Sequence, residues 1–330
     1  MKIVKITDIP GIQIGNMQDF EGATGCTVIL CKDGAVAGVD VRGGAPGTRE
    51  TDLLKPENYV EKIHAVLLAG GSAFGLDAAA GVMNYLEEQG IGFDVGVTKV
   101  PIVAGAVLFD LTCKDHRTRP NQEMGYKACL AAESHDFAEG SMGAGMGATV
   151  GKFYGMKHAM KGGLGAYCLQ IGDMMVGAVV AVNCFGDVID PSTGVIIAGA
   201  YQEEPSLFLD CEKGMIEGYN HCDNGFAGNT TIGTIITNVA MTKAQAQKIA
   251  SMAHDGYART MRPAHTMLDG DTIFTLSVGS VTADLNVVGL LATQVMEQAV
   301  LRAVKKASGV GRYKTYQDVF GEYIENREEL

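Results

Sequence analysis

The stretch GFAGNTTIGTII, residues 225–236, sets two glycines and an asparagine directly before two threonines and an apolar β-branched run. Read locally, it is a turn feeding a strand that begins at Thr230 and Thr231. Read as chemistry, a threonine hydroxyl beside a carbonyl held in a tight turn can attack that carbonyl and shift the acyl group from nitrogen to oxygen. Water then hydrolyses the ester, and Thr230 becomes a new chain start. Such a threonine carries its own base, because an α-amino group has a reference pKa near ~8. Acyl transfer also needs donors for the oxyanion, each worth roughly 3 kcal/mol. Asn183, at the end of an apolar strand pattern, could supply one or could be a strand-end turn residue. In RPAHTMLDGDTIF (262–274), Asp269 and Asp271 either close a tight D-G-D turn or orient the threonine, as the acid of a triad orients its partner.

Other motifs fail on inspection. GAGMGATVGK has Met146 where a phosphate-binding loop needs glycine, and Phe153 where it needs Ser or Thr. GGSAFG (70–75) has Phe74 where a nucleophile elbow needs glycine, so Ser72 is expected to cap a helix. The seven histidines show no compact ligand spacing, and His254 is expected to be structural. No metal and no cofactor are expected. The eight cysteines, without a C-x-x-C pair, are expected to be buried free thiols.

The elements that must position these residues follow from hydropathy. Strands are expected at 26–31, 35–44, 64–71, 230–240 and 272–281, with a strand or hairpin over 174–190. Helices are expected at 72–90, with Ser72 near the N-cap and Gly90 as a stop, at 242–261 with Thr242 as N-cap, and at 285–307. Residues 201–228 resemble a surface loop, and 311–330 a peripheral helix or arm. No linker divides the 330 residues, which predicts one domain, 1–330, of the α/β class with sheet packed on sheet and helices outside.

Composition narrows the partners. A net charge of −12 without a basic cluster disfavours nucleic acid, leaving a small molecule or peptide. No run of ~18 uninterrupted apolar residues and no leader pattern is evident, so a soluble, cytoplasmic chain away from membranes is expected.

Taken in order, RGGAPGTRETDLL (42–54), HAVLLAGGSAFGLDAAAGV (64–82), VPIVAGAVLFDL (100–111), GAGMGATVGK (143–152), MKGGLG (160–165), GNTTIGTI (228–235) and PAHTMLDGDTIFTLS (263–277) resemble the DmpA-type self-processing N-terminal-nucleophile aminopeptidases. This group includes β-peptidyl aminopeptidases and L-aminopeptidase/D-esterases. The resemblance implies an αββα sandwich, two packed sheets with helices on the outer faces, and a homo-oligomer of cleaved heterodimers, a tetramer being one such form. It makes Asn229-Thr230 the processing bond, giving fragments 1–229 and 230–330 with Thr230 as nucleophile. It places Asn183 in the oxyanion hole, and Asp269 and Asp271 where members carry a Ser-x-Glu pair. The implied activity is release of N-terminal residues from peptides, amides or esters, the substrate amine lying near Asp269 or Asp271. The alternatives are acyl transfer to an amine, as in ornithine acetyltransferases, and an uncut small-molecule binding protein. Thr stands here where the best-known members have Ser, and Tyr154 is shifted from the family's oxyanion tyrosine.

Overall fold

Runs in which nearly every residue is apolar, rather than every second one, mark strands covered on both faces, and the main sheet is built from them. The computed structural model describes residues 1–220 and 228–321. Among these, ten strands form one mixed sheet: β1 (Lys2–Val4), β2 (Gln13–Asp19), β3 (Thr24–Val41), β4 (Thr48–Arg49), β5 (Lys62–Ala69), β6 (Val103–Val107), β7 (Gly163–Ile171), β8 (Met174–Val182), β9 (Ile232–Val239) and β10 (Thr272–Val281). Their order is β1-β7-β8-β9-β10-β3-β5-β6-β4, with β2 also paired to β3. The α-helices are α1 (Ala78–Glu88), α2 (Gln122–Ala132), α3 (Cys211–Glu217), α4 (Lys243–Thr260) and α5 (Leu285–Lys305).

Side chains alternate between faces along a strand, and the core follows that alternation. On β8, Val176, Ala178, Val180 and Val182 pack with β9 residues Ile235 and Val239 against α4 and α5. On β3 and β5, Val28, Leu30, Ala65 and Leu67 pack against α1 and α2. The opposite faces meet in a third cluster, where Ile29, Val66 and Leu68 join Val179, Ala181, Ile236 and Phe274. Each such large side chain contributes roughly 1.5–3 kcal/mol on burial. A one-residue slip would exchange both faces of a strand at once, so register is firmly set.

The local readings at 35–44 and 72–90 need correction. The two strands expected at 26–31 and 35–44 are one, β3, with a register shift against β5 between Leu30 and Ala35. The Asp33-Gly34 pair there, with Gly34 at φ +79°, makes an irregularity and not a chain reversal. Ser72 caps nothing: it sits at φ +54° and opens a 3-10 turn over Ser72–Asp77 that precedes α1. The polar stretch expected to be loop contains α3, while Cys222 and residues 225–227 of the opening motif lie outside the described residues, as do 322–330 of the tail. The described cysteines are free, and all but the half-buried Cys113 are buried.

Candidate active site

Topology brings the candidate residues to one end of the sheet. β9 and β10 run parallel, with Ile232 opposite Thr272, so the residues preceding each lie side by side, and Asn229 bridges to Asp269. β8 runs antiparallel to β9, with Ala181 opposite Ile232, and delivers Asn183 to the same place. α4 provides the crossover between β9 and β10 and is fixed at its start by a capping box between Thr242 and Gln245.

Asn229, Thr230, Asn183, Asp269 and Asp271 therefore converge, and all are buried. The Thr230 hydroxyl donates to the carbonyl oxygen of Asn229, the peptide bond expected to break. The same oxygen accepts the Gly270 N–H at 3.1 Å. A Cβ on Gly270 would lie 2.6 Å from Thr230 Oγ1 and 2.8 Å from the Ala45 carbonyl oxygen, so only glycine lets the turn close on Thr230. Thr230 N–H donates to the Asn183 carbonyl at 3.0 Å, and Thr231 N–H to Asp271 Oδ1 at 2.8 Å. Thr230 is thus pinned through the amides on both its sides.

The D-G-D turn is both a turn and a set of placed carboxylates. Asp269 accepts from Phe185 N–H at 3.2 Å and from the N–H and hydroxyl of Thr266 at 3.0 and 2.6 Å. Asp271 accepts, besides Thr231, the N–H and Nδ1 of His265 at 3.0 and 2.8 Å. Each is only 1% exposed, so in the uncut chain neither is open to a substrate ammonium. Burial, and then the neighbouring Asp271, pushes the Asp269 carboxyl up to about 6. The RGGAP segment earns its place as the clamp on this turn: Arg42 and Gly43 N–H groups bond the Asp271 carbonyl, Gly44 that of Thr266, and Ala45 that of Asp269.

Asn183 holds its side chain between two elements. Its Nδ2 donates to the Phe109 carbonyl at 3.1 Å and to the Gly228 carbonyl at 3.4 Å, while Oδ1 accepts from Thr149 N–H at 2.9 Å. Its amide therefore addresses the carbonyl one residue before that of Asn229.

Lys152 is the residue the sequence reading passed over. Its Nζ donates to the Asn183 carbonyl at 3.0 Å, to Asn183 Oδ1 at 2.8 Å and to the Gly228 carbonyl at 2.9 Å. Burial pushes this ammonium down to about 7, a value at which it can exchange protons near neutrality. Gly151 before it, at φ +72°, presses against the backbone of Gly199 and Ala200, where a Cβ would stand 2.0 Å from each. A lone lysine ending a glycine-rich apolar run was the available signal, and a failed phosphate-loop match hid it. The Tyr154 hydroxyl is turned away from Thr230 and donates to the Leu209 carbonyl. His254 packs in α4 and donates Nε2–H to the Asp40 carbonyl at 3.0 Å, a structural placement. Among the described residues no group of three or more His, Cys, Asp or Glu is arranged for a metal ion.

The model of peptidase family S58 matches residues 4–317. The chain belongs to that family. It is 42% identical to an uncharacterized aminopeptidase of Mycobacterium leprae over 96% of this chain and 94% of that one. It is 32% identical to a 6-aminohexanoate-oligomer endohydrolase of a Kocuria species, over 90% and 85% of the two chains. Among solved structures, the L-aminopeptidase D-Ala-esterase/amidase from Ochrobactrum anthropi, described as a variant of the Ntn hydrolase fold, superimposes with a TM-score of 0.70 at 18% identity, covering 96% and 93%. The fold is shared at that level, in the α/β class. The chain is accordingly a hydrolase of the aminopeptidase kind, and family membership favours hydrolysis over the transferase and uncut-binder alternatives.

Proposed function

We propose that the chain cuts itself between Asn229 and Thr230 and then uses Thr230 as the N-terminal nucleophile of an aminopeptidase or amidase. The observation that carries this is the Thr230 hydroxyl lying on the Asn229 carbonyl oxygen while Gly270 N–H holds the same oxygen. In processing, Thr230 Oγ1 adds to the Asn229 carbonyl carbon, and Gly270 N–H takes the developing oxyanion. Thr230 N then leaves with a proton to form the ester, and water releases the Asn229 carboxylate and a free α-amine. Lys152, in its neutral form, serves as the proton carrier: it takes the Thr230 hydroxyl proton as the Oγ1–carbon bond forms and returns a proton to the leaving nitrogen. It shares the Asn183 carbonyl as acceptor with Thr230 N–H, which places it two hydrogen bonds from the leaving nitrogen.

In turnover, the α-amine of Thr230 takes the proton of its own hydroxyl as that oxygen attacks the substrate carbonyl. Departure of the segment ending at Asn229 frees Lys152 Nζ and Asn183 Nδ2 from the Gly228 carbonyl, on which they now converge. A substrate carbonyl placed there meets both donors, giving Asn183 its oxyanion role. Asp269 and Asp271 hold the turn and the nucleophile. Peptides and small amides or esters are the substrates of this reading. The relative named for 6-aminohexanoate oligomers adds amides of longer amino acids to the panel worth testing.

The same reading takes the two halves of the sheet as the inner layers of an αββα sandwich, supported by the apolar cluster that joins the inward faces of both halves. It includes a cytoplasmic homo-oligomer of cleaved heterodimers, which native mass spectrometry would count. Denaturing mass spectrometry of purified protein tests the core of it: fragments 1–229 and 230–330 are expected from wild type, and one intact chain from Thr230→Ala. A wild-type chain that stays whole on prolonged incubation would sink the reading. Turnover is then assayed with aminoacyl p-nitroanilides, amides and esters on the cut form.

A further inference from the structure

Behind the D-G-D turn lies a pair of histidines for which the reaction as described has no use. His265, in the loop between α4 and β10, stands at φ +58° and gives both its backbone N–H and its ring Nδ1–H to Asp271 Oδ2, at 3.0 and 2.8 Å. The other ring nitrogen, Nε2, is buried without a hydrogen-bond partner among the described residues. The ring is gripped from α4 by His254, edge-on at 4.8 Å between centroids, and by Tyr257 at 6.2 Å. His254 is anchored in turn on the Asp40 carbonyl of β3, and burial pushes its imidazole down to about 4, so that it backs His265 as an uncharged wall.

We propose that His265 is a positioning residue for Thr230, acting through Asp271. Asp271 Oδ2 is occupied by His265, and the carboxylate is thereby turned to present Oδ1 to Thr231 N–H at 2.8 Å. Thr231 N belongs to the peptide group that contains the Thr230 carbonyl, so this bond fixes the plane on the C-terminal side of the nucleophile. The bond on its other side, from Thr230 N–H to Asn183, changes character once the chain is cut and that nitrogen becomes an amine. The Asp271 bond survives the cut. His265 therefore governs where the hydroxyl points in both reactions, first on the Asn229 carbonyl and afterwards on substrate.

The proposal rests on the self-processing reading, and its test separates the two. The chain is made by pulse-labelled cell-free synthesis, and its cleavage is followed by denaturing mass spectrometry. Losing a hydrogen bond to a charged group predicts that His265→Ala slows cleavage about 10- to 100-fold. In the mature form kcat is expected to fall by a similar factor with KM nearly unchanged. His265→Asn keeps a donor at the Nδ1 position and tolerates positive φ, so it is expected to cut within a few-fold of wild type. Because the effect passes through Asp271, His265→Ala added to Asp271→Asn is expected to cost little beyond Asp271→Asn alone. Should the alanine variant fail to fold, the asparagine variant decides alone. An asparagine variant as slow as alanine, or losses that multiply in the double variant, would overturn the role of His265 while leaving a cut wild type intact. A wild type that never cuts overturns the underlying reading instead.

Discussion

At Thr230 the reactive geometry is made almost entirely by backbone donors, which is why two small changes should be severe. Gly270 supplies the N–H on the Asn229 carbonyl and has no room for a methyl group, its Cβ position lying 2.6 Å from Thr230 Oγ1. Gly270→Ala is therefore expected to slow self-cleavage by at least ~100-fold, the loss associated with one oxyanion donor, with the uncut chain accumulating on denaturing gels. Lys152 gives the second expectation. Burial holds it down to about 7, so it is protonated below that pH and neutral above it. As the proton acceptor from the Thr230 hydroxyl it must be neutral, so the cleavage rate should rise as pH increases up to about 7 and level off above. Asp269, pushed up to about 6, takes up a proton below that value and loses acceptor capacity for Phe185 and Thr266, which steepens the acid limb. Lys152→Arg stays charged across the range and should remain slow throughout. A wild-type profile that is flat between pH 5 and 8 would remove Lys152 from the proton path.

The elements show why sequence carried the reading as far as it did. β10 was expected at 272–281 and is found there, because a run with apolar residues on both faces and a polar knot before it admits few other structures. α4 was legible through its cap: the Thr242 side chain accepts from Gln245 N–H and the Gln245 side chain from Thr242 N–H. Thr242→Ala should cost about 1 kcal/mol of stability, visible as a lower urea midpoint with unchanged slope, while self-cleavage at 25 °C proceeds normally. What single stretches left open depends on contacts between distant segments. Asn183, Thr230 and the D-G-D turn each had a bland local explanation, and only the antiparallel β8-β9 and parallel β9-β10 pairings bring them together. Lys152 had no periodic pattern to mark it, and Ser72 looked like a cap because the left-handed turn that displaces it leaves no compositional trace.

For the whole molecule, the position of the cut determines what cleavage can change. The fragment beginning at Thr230 would contribute β9 and β10 to the middle of the sheet, with β8 of the larger fragment hydrogen-bonded on one side and β3 on the other. Its helix α5 packs Val295, Met296, Ala299 and Val300 in the same apolar cluster as Val176, Val180 and Val182 of β8. Separating the fragments would mean opening two strand ladders and exposing that core, which amounts to unfolding. The cut form is therefore expected to travel as one species in native mass spectrometry and to part only in denaturant. Unfolding then becomes a dissociation, so the melting temperature of cut protein should rise with protein concentration. That of Thr230→Ala, still one chain, should show less dependence, any remainder reporting association between whole copies. Equal concentration dependence in the two forms would mean that the fragments are not the units being separated.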